Sequence, residues 1–224
     1  MTVAVLFDLE DTLVQTPWAD PQHVIEFRTR TREKLIELGI PPGVLKGIER
    51  ATIMRNKAAE YVEKNFSKAS AENFYREIED SVLRDELDSA QRAKLFPDTI
   101  PTLAKLKQQG IRMGLVTNTS ARAVSIFFER FGLGKFFDVV VTRDNVKRLK
   151  PESEGILVAL KKLDANNFFM VGDLVHDALA AKSADGKSII VKRNSSERLD
   201  FEADYVVESL NEVPVIVQME MRIT

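Results

Sequence analysis

The stretch that most constrains this chain is its beginning, where the apolar residues 3–7 run directly into acidic residues. An unbroken apolar run of this length is typical of a strand that is buried on both faces of a parallel sheet. The acids then follow the carboxyl end of the strand, where ligands of open α/β sheets bind. Asp8 is the candidate nucleophile. Glu10 is its candidate proton-handling neighbour, because side chains two apart on an extended segment point the same way, whereas Asp11 would point elsewhere.

Composition and charge narrow the class of protein. The chain has 224 residues, 44% of them hydrophobic and 29% charged, which predicts a soluble globular protein with one good core and room for a smaller second unit. A formal charge of -2 gives no field that favours nucleic acid or membrane partners, so we expect small molecules or other proteins. We see neither a signal peptide nor a transmembrane span, and we expect a cytoplasmic location.

Residue usage also limits the chemistry. The chain has no cysteine and only two histidines, which excludes disulfides, thiol catalysis and cysteine-ligated zinc. A histidine-rich metal site is equally disfavoured. Any metal must therefore be held by oxygen atoms.

From residue 96 onward the hydrophobic pattern alternates between helix and strand. Alternation of this kind predicts a Rossmann-like α/β fold, in which helices cover both faces of a parallel sheet through right-handed crossovers. The predicted helices are 99–109, 120–131, 151–163 and 176–184, and the predicted strands after the first are 111–117, 137–142, 167–173, 187–191 and 205–207.

A helical block interrupts this pattern. Between residues 23 and 94 the apolar residues recur at helical spacing, which predicts three or four helices, with breaks at 39–43 and 68–70 and no convincing strand. The first strand precedes the block and its partner strands follow it. We therefore expect a core domain of residues 1–17 and 96–224 and an inserted helical cap domain of residues 18–95, which acts as a lid.

The two connections of this lid are predicted hinges. They fall at residues 17–21 and 95–98, where prolines and small polar residues interrupt the periodic pattern. Trp18 is expected to pack in the first hinge rather than to stack on a substrate. Within the cap, Arg55 and Asn56 are further candidates for substrate contact.

Polar groups follow four of the predicted strands, and their joint order indicates phosphoryl transfer. A carboxylate such as Asp8 can attack phosphorus only if nearby positive charge offsets the repulsion, which Lys150 and a divalent cation would supply. Asp8, Asp173 and Asp177 form an oxygen cluster of the kind that Mg²⁺ prefers. The second of the four sites would bind the substrate phosphate, through the Thr117 hydroxyl and nearby backbone N–H groups and through Asn118. Lys150 would contact the phosphate as well, and we prefer it to Lys147 because the adjoining Pro151 suits a helix start.

These segments resemble the four motifs of the haloacid dehalogenase-like superfamily, over nearly the whole chain. Residues 7–13 are similar to the first motif, 115–118 to the second, 150–151 to the third and 172–177 to the fourth. Residues 131–140 and 203–207 are similar to the phosphoglycolate phosphatase-like branch, in which a helical cap follows the first motif.

The resemblance implies roles for several residues. Asp8 would form an aspartyl-phosphate, and Glu10 would protonate the leaving group and then activate water. Asp173 and Asp177 would help to hold Mg²⁺, with Asp8 and the main-chain carbonyl of Glu10 as further ligands.

Two positions of the first motif depart from the family pattern. The first motif commonly has aspartate two residues after the nucleophile and glycine after that, whereas this chain has Glu10 and Asp11. Glutamate retains a carboxyl group but places it one methylene further out, which affects hydrogen-bond reach. Asp11 lacks the conformational freedom of glycine, although aspartate tolerates turns and can cap them.

The leading hypothesis is a magnesium-dependent phosphatase that acts on a small phosphorylated metabolite. One alternative is a phosphate-binding or regulatory protein that has lost turnover because of Glu10 and Asp11. Another is a dehalogenase or phosphonatase, and both rank lower because the cap offers no clear residue for that chemistry. Against the dehalogenase, the acid at position 10 also serves a leaving group that needs a proton. A phosphoryl-accepting receiver domain is poorly supported, because that fold needs no helical insert of this size.

Overall fold

The structure is a computed structural model that describes residues 3–17, 20–193 and 201–223. Trp18 lies outside these described residues, so its expected hinge packing stays a prediction. In the part of the chain that the structure describes, no helix is both long and apolar enough to cross a membrane.

A six-stranded parallel sheet forms the centre of the molecule. Its strands are β1 (Val3–Phe7), β4 (Arg112–Val116), β5 (Val139–Val141), β6 (Asn167–Gly172), β7 (Lys187–Val191) and β8 (Tyr205–Val207). They lie in the order β5-β4-β1-β6-β7-β8, which places the first strand in the middle of the sheet. Two short strands, β2 (Val14–Gln15) and β3 (Lys94–Leu95), pair with each other outside this sheet. The predicted α/β fold is confirmed.

The central strand is apolar throughout because both faces of the sheet are covered. Val5 and Phe7 belong to one hydrophobic cluster, and Ala4 and Leu6 belong to a second cluster on the opposite face. All four side chains are fully buried. Successive side chains of a strand point to opposite faces of the sheet. An unbroken apolar run is therefore fully buried only if both faces are covered, and in a sheet with one covered face half of these side chains would be exposed to water.

Among the described residues, five helices accompany the sheet. They are α4 (Thr99–Gln108), α5 (Ala121–Phe131), α6 (Glu154–Leu163), α7 (Val175–Ser183) and α8 (Val213–Ile223). The predicted elements from residue 99 to 207 are all present, with ends that differ by at most three residues. Helix α8 is not among the elements predicted from the sequence; Pro214 stands at its second position, which suits a helix start.

Among the residues described between β2 and β3 there are three α-helices: α1 (Pro21–Glu37), α2 (Ala51–Asn65) and α3 (Lys68–Arg92). They enclose a hydrophobic cluster of their own, which includes Leu35, Met54, Val62 and Phe74. The break predicted at 68–70 falls a few residues late, because Ser67 caps α3 and the helix begins directly after it.

Both connections to these helices run side by side. Val14 pairs with Leu95 and Gln15 with Lys94, in antiparallel register. This two-stranded ribbon was not expected from the sequence, because a two-residue strand carries no periodic signal.

Candidate active site

The carboxyl end of β1 places Asp8 beside a buried lysine. Lys150 Nζ donates to Asp8 Oδ1 and to Asp177 Oδ1, each at 2.7 Å. The side chains of Lys150 and Asp177 are only 4% and 3% exposed, so little water screens these ion pairs. Lys147, the competing lysine in the same loop, is exposed. The structure thus brings Lys150, and not Lys147, to the acidic cluster.

Three carboxylates converge at this point. Asp8, Asp173 and Asp177 each offer one oxygen, and these oxygens lie within 4.8 Å of one another. Burial raises the pKa of Asp8 to about 6, against the opposing charge of Lys150. Burial also raises the pKa of Asp173 well above its usual value, and the nearby charges of Asp177 and Asp8 add to the rise. Acids this close repel one another when ionised, so the cluster favours a bound cation.

The donor set fits the magnesium ion that the family motifs imply. All three groups are carboxylates, and hard divalent cations prefer oxygen ligands. Lys150 neutralises part of the charge on Asp8 and Asp177, while Asp173 accepts a hydrogen bond from the Thr12 hydroxyl at 3.1 Å. Asp173 is therefore the member of the cluster that most needs another positive partner.

The Asp177 carboxylate is held by the start of α7 as well as by Lys150. Its Oδ2 accepts from the backbone N–H of Leu174 at 3.2 Å, as the third residue of a helix does when it reaches back to the N-cap. The space for this carboxylate depends on Gly172, because a Cβ at that position would lie 2.1 Å from Asp177 Cγ. Glycine at the end of β6 is therefore required by the close approach of Asp177.

Two asparagines hold the backbone of the lysine loop. Asn118 Oδ1 accepts from Lys150 N at 2.9 Å and its Nδ2 donates to Lys150 O at 3.1 Å. Asn56, on α2, makes the same pair of bonds with Leu149, both at 2.8 Å. Since the Asn118 amide is engaged in this way, its contribution to phosphate binding would come from the main chain. Asn56, a candidate for substrate contact, instead binds the segment before Lys150.

The carboxyl group of Glu10 ends a chain of hydroxyl groups. Thr117 donates to Thr119 at 3.1 Å, and Thr119 donates to Glu10 Oε2 at 2.5 Å. The other oxygen, Oε1, accepts from Ser89 on α3 at 3.0 Å. Both oxygens of the longer acid are therefore fixed. Thr119 and Ser89 are contacts that were not expected from the sequence.

Asp11 adopts the backbone conformation that glycine favours. Its φ is 55°, in the left-handed region. Its carboxylate accepts from the Thr16 backbone N–H at 2.9 Å and from the Thr16 hydroxyl at 3.0 Å. As expected, Asp11 points away from the acid pair and caps a turn. These two bonds offset the strain of placing a side chain at this position.

An ionic cluster that is buried except at Glu79 joins α3 and α2 to the core loops. Glu86 on α3 accepts from Ser120 N at 3.2 Å and from Arg143 Nε at 3.1 Å. Arg143 also pairs with Glu79, which in turn contacts Arg55. Two arginines face two glutamates here, so their formal charges cancel. The pocket of about 550 Å³ beside them is lined by α2, α3 and the loop that precedes Lys150, including Arg55, Asn56, Tyr75, Glu79, Arg143 and Leu149.

Similarity to known proteins agrees with this geometry. The family model of the haloacid dehalogenase-like hydrolases matches residues 5–191. Pyrophosphatase PpaX of Bacillus velezensis is 36% identical over 117 residues, which are 50% of this chain and 54% of that protein. PpaX of Caldanaerobacter subterraneus is 30% identical over 191 residues, 84% of this chain and 81% of that protein. The chain thus spans little more than half the length of the first of these relatives.

The fold is also shared with a solved structure. The crystal structure of a HAD phosphatase from Thermococcus onnurineus is similar with a TM-score of 0.60 and 26% sequence identity, over 97% of this chain and 98% of that chain. The resemblance inferred from the four motifs is confirmed. This chain belongs to the haloacid dehalogenase-like hydrolase family.

Proposed function

We propose that this chain is a magnesium-dependent phosphatase that hydrolyses a small phosphorylated molecule through an aspartyl-phosphate on Asp8. The observation that carries the proposal is the position of Asp8, which follows the central strand, accepts from Lys150 at 2.7 Å and shares an acidic cluster with Asp173 and Asp177. Ligand sites of parallel sheets lie at this edge.

The residues divide the work as follows. Asp8 attacks phosphorus, so that a bond forms between its carboxylate oxygen and phosphorus while the bond from phosphorus to the leaving oxygen breaks. Glu10 gives its proton to that leaving oxygen. In the second half of the reaction Glu10 takes a proton from water, whose oxygen attacks phosphorus and releases phosphate and Asp8. Lys150 stabilises the charge on the transferred group, and the Thr117 hydroxyl does so once its proton turns from Thr119 to a phosphate oxygen.

Asp8, Asp173, Asp177 and the main-chain carbonyl of Glu10 are the proposed magnesium ligands. When bound, Mg²⁺ supplies positive charge that offsets the repulsion between phosphate and carboxylate and orients the phosphate. The shared oxygen cluster and the raised pKa of Asp173 support this assignment.

Residues 18–95 are proposed to form a cap domain over a core of residues 1–17 and 96–224. Support comes from the separate hydrophobic cluster of α1 to α3 and from the paired β2 and β3 strands, which bring both connections to one place. Closure of such a cap would exclude water and complete the site. A cytoplasmic location and the absence of nucleic acid and membrane partners stay predictions.

The substrate is best sought among small phosphate esters and anhydrides. The relative from Bacillus velezensis is named pyrophosphatase PpaX, so inorganic pyrophosphate belongs in the screen beside sugar, nucleotide and carboxylic acid phosphates. Phosphate release that needs Mg²⁺ and disappears in Asp8→Asn supports the proposal. Metal and phosphate binding without turnover on any of these compounds would favour the regulatory alternative. Halide or phosphonate turnover would favour the other alternative.

A further inference from the structure

Both oxygens of the Glu10 carboxyl group are held by hydroxyl groups from two different parts of the fold. Thr119, in the loop after β4, donates to Oε2 at 2.5 Å, and Ser89, on α3, donates to Oε1 at 3.0 Å. Ser89 is only 1% exposed, so water does not compete strongly for its hydroxyl. The acid is thus bound between the sheet domain and the inserted helices.

This part of α3 is anchored independently of Glu10. Glu86, three residues before Ser89 and on the same face of the helix, binds Ser120 N and Arg143 Nε. Arg130 on α5 donates to the main-chain carbonyl of Ala93 at 3.1 Å, at the end of α3. Ser89 is therefore presented to Glu10 by a helix whose position other contacts already define.

The additional methylene of glutamate explains why its carboxyl group needs two hydroxyl contacts. A glutamate side chain has one more rotatable bond than aspartate, and fixing it costs conformational entropy. Hydrogen bonds to both oxygens limit the carboxyl group to one arrangement. The contact from α3 also makes that arrangement depend on the docking of α3.

We propose that Ser89 is a positioning residue for the reaction, which acts with Thr119 to fix the Glu10 carboxyl group and thereby couples proton transfer to the docking of α3. The inference rests on the proposed function, in which Glu10 exchanges a proton with the leaving group and with water. If Ser89 only stabilised the helix, the effect of replacing it would be the same whether residue 10 is glutamate or the shorter aspartate.

A double-mutant cycle separates these two roles. The variants are Ser89→Ala, Ser89→Thr, Glu10→Asp and the double variant with Ser89→Ala and Glu10→Asp, each assayed for kcat, KM and thermal midpoint with the best substrate found in the screen. Ser81→Ala is the matched control, because Ser81 is exposed on the same helix and its hydroxyl donates to the helix carbonyl of Ile78. We expect this control to match the wild type.

Ser89→Ala should lower kcat about tenfold, the effect of one lost hydrogen bond to a charged group, and leave KM within about twofold. Ser89→Thr keeps the hydroxyl and should recover much of kcat. In the Glu10→Asp background the shorter acid does not reach Ser89, so Ser89→Ala should change kcat by less than about twofold. If Ser89→Thr fails to fold because its added methyl group is buried, Ser89→Ala, Glu10→Asp and the double variant still distinguish the two roles of Ser89.

The outcomes distinguish the inference from the proposed function. A wild type that releases no phosphate from any substrate overturns the proposed function, and the inference with it. An active wild type overturns the inference alone if Ser89→Ala leaves kcat unchanged. The inference is also overturned if Ser89→Ala lowers kcat by the same factor in the wild type and in the Glu10→Asp variant. It is overturned as well if Ser89→Ala changes only KM and the thermal midpoint.

Discussion

Lys150 lies between two acids, with its ammonium group 2.7 Å from Asp8 Oδ1 and equally close to Asp177 Oδ1. Burial lowers the pKa of Lys150, but Asp177 and Asp8 outweigh that effect and hold the pKa above its usual value. The lysine is therefore charged at neutral pH. A positive charge at this point can offset the negative charge of a phosphate that approaches Asp8.

Replacing this lysine should abolish most of the activity. In Lys150→Met we expect kcat to fall by about 10² to 10³, the usual cost of losing a charge that stabilises the transition state. Lys147→Met is the control, because Lys147 is exposed in the same loop. Phosphate release under saturating substrate measures both variants. Equal kcat in Lys150→Met and Lys147→Met would show that Lys150 does not stabilise the transition state.

The bonds between Asn56 and Leu149 should matter for stability as well as for rate. Asn56→Ala leaves a buried N–H and a buried carbonyl of Leu149 without their partner, which should cost about 2 kcal/mol of unfolding free energy. We also expect kcat to fall, because the next residue is Lys150. Asn65→Ala is the matched control, since exposed Asn65 bonds to the carbonyl of Tyr61 in its own helix. Urea unfolding of both variants gives the comparison, and a stability equal to that of the control would contradict the expected cost.

The sequence predicts the sheet well because its signal is local. The apolar run of β1, the alternation of helix and strand and the four motifs each occupy a few consecutive residues, and the structure brings Asp8, Lys150, Asp173 and Asp177 together as their order indicated. The contact between Ser89 and Glu10 joins residues 79 positions apart. No periodicity or motif marks such a pair, because Ser89 looks like any serine on a helix until α3 is placed against the sheet.

The space beside Gly172 should not accept a methyl group. In Gly172→Ala the new Cβ would meet the Asp177 carboxyl group at 2.1 Å, so Asp177 must move away from Lys150. We expect a loss of activity of at least about tenfold, since small displacements of catalytic groups are costly. Gly43→Ala is the control, because nothing lies within 4 Å of the Cβ that alanine would add there. A Gly172→Ala enzyme with wild-type activity would show that activity does not depend on the observed position of the Asp177 carboxyl group.

The pH dependence of stability should report on Glu86. Burial raises its pKa to about 7 in the folded protein, from about 4.5 for an ordinary glutamate. Because the folded state binds the proton more tightly, the stability contributed by protonated Glu86 is fully present below about pH 4.5 and is lost as the pH rises through about 7. Relative to Glu86→Gln, the wild type should lose up to about 1.4 kcal/mol of unfolding free energy per pH unit across this window.

Denaturant unfolding of the two proteins at several pH values between about 4.5 and about 8 tests this relation. The comparison with glutamine isolates Glu86 from the other acids, which titrate in both proteins. Parallel stability curves would contradict the prediction and would mean that the ion pair with Arg143 keeps Glu86 ionised throughout.

The central claim is that Asp8 carries the phosphoryl group during turnover. The most direct measurement is an acid quench of the working enzyme with Mg²⁺ and its best substrate, followed by mass spectrometry of the peptide that contains Asp8. We predict a phosphoryl adduct on Asp8 that forms in the wild type and is absent in Asp8→Asn. With an aryl phosphate, whose leaving group needs little protonation, the adduct should accumulate in Glu10→Gln because water is no longer activated. Full turnover by Asp8→Asn, or an adduct on any other residue, would contradict the account.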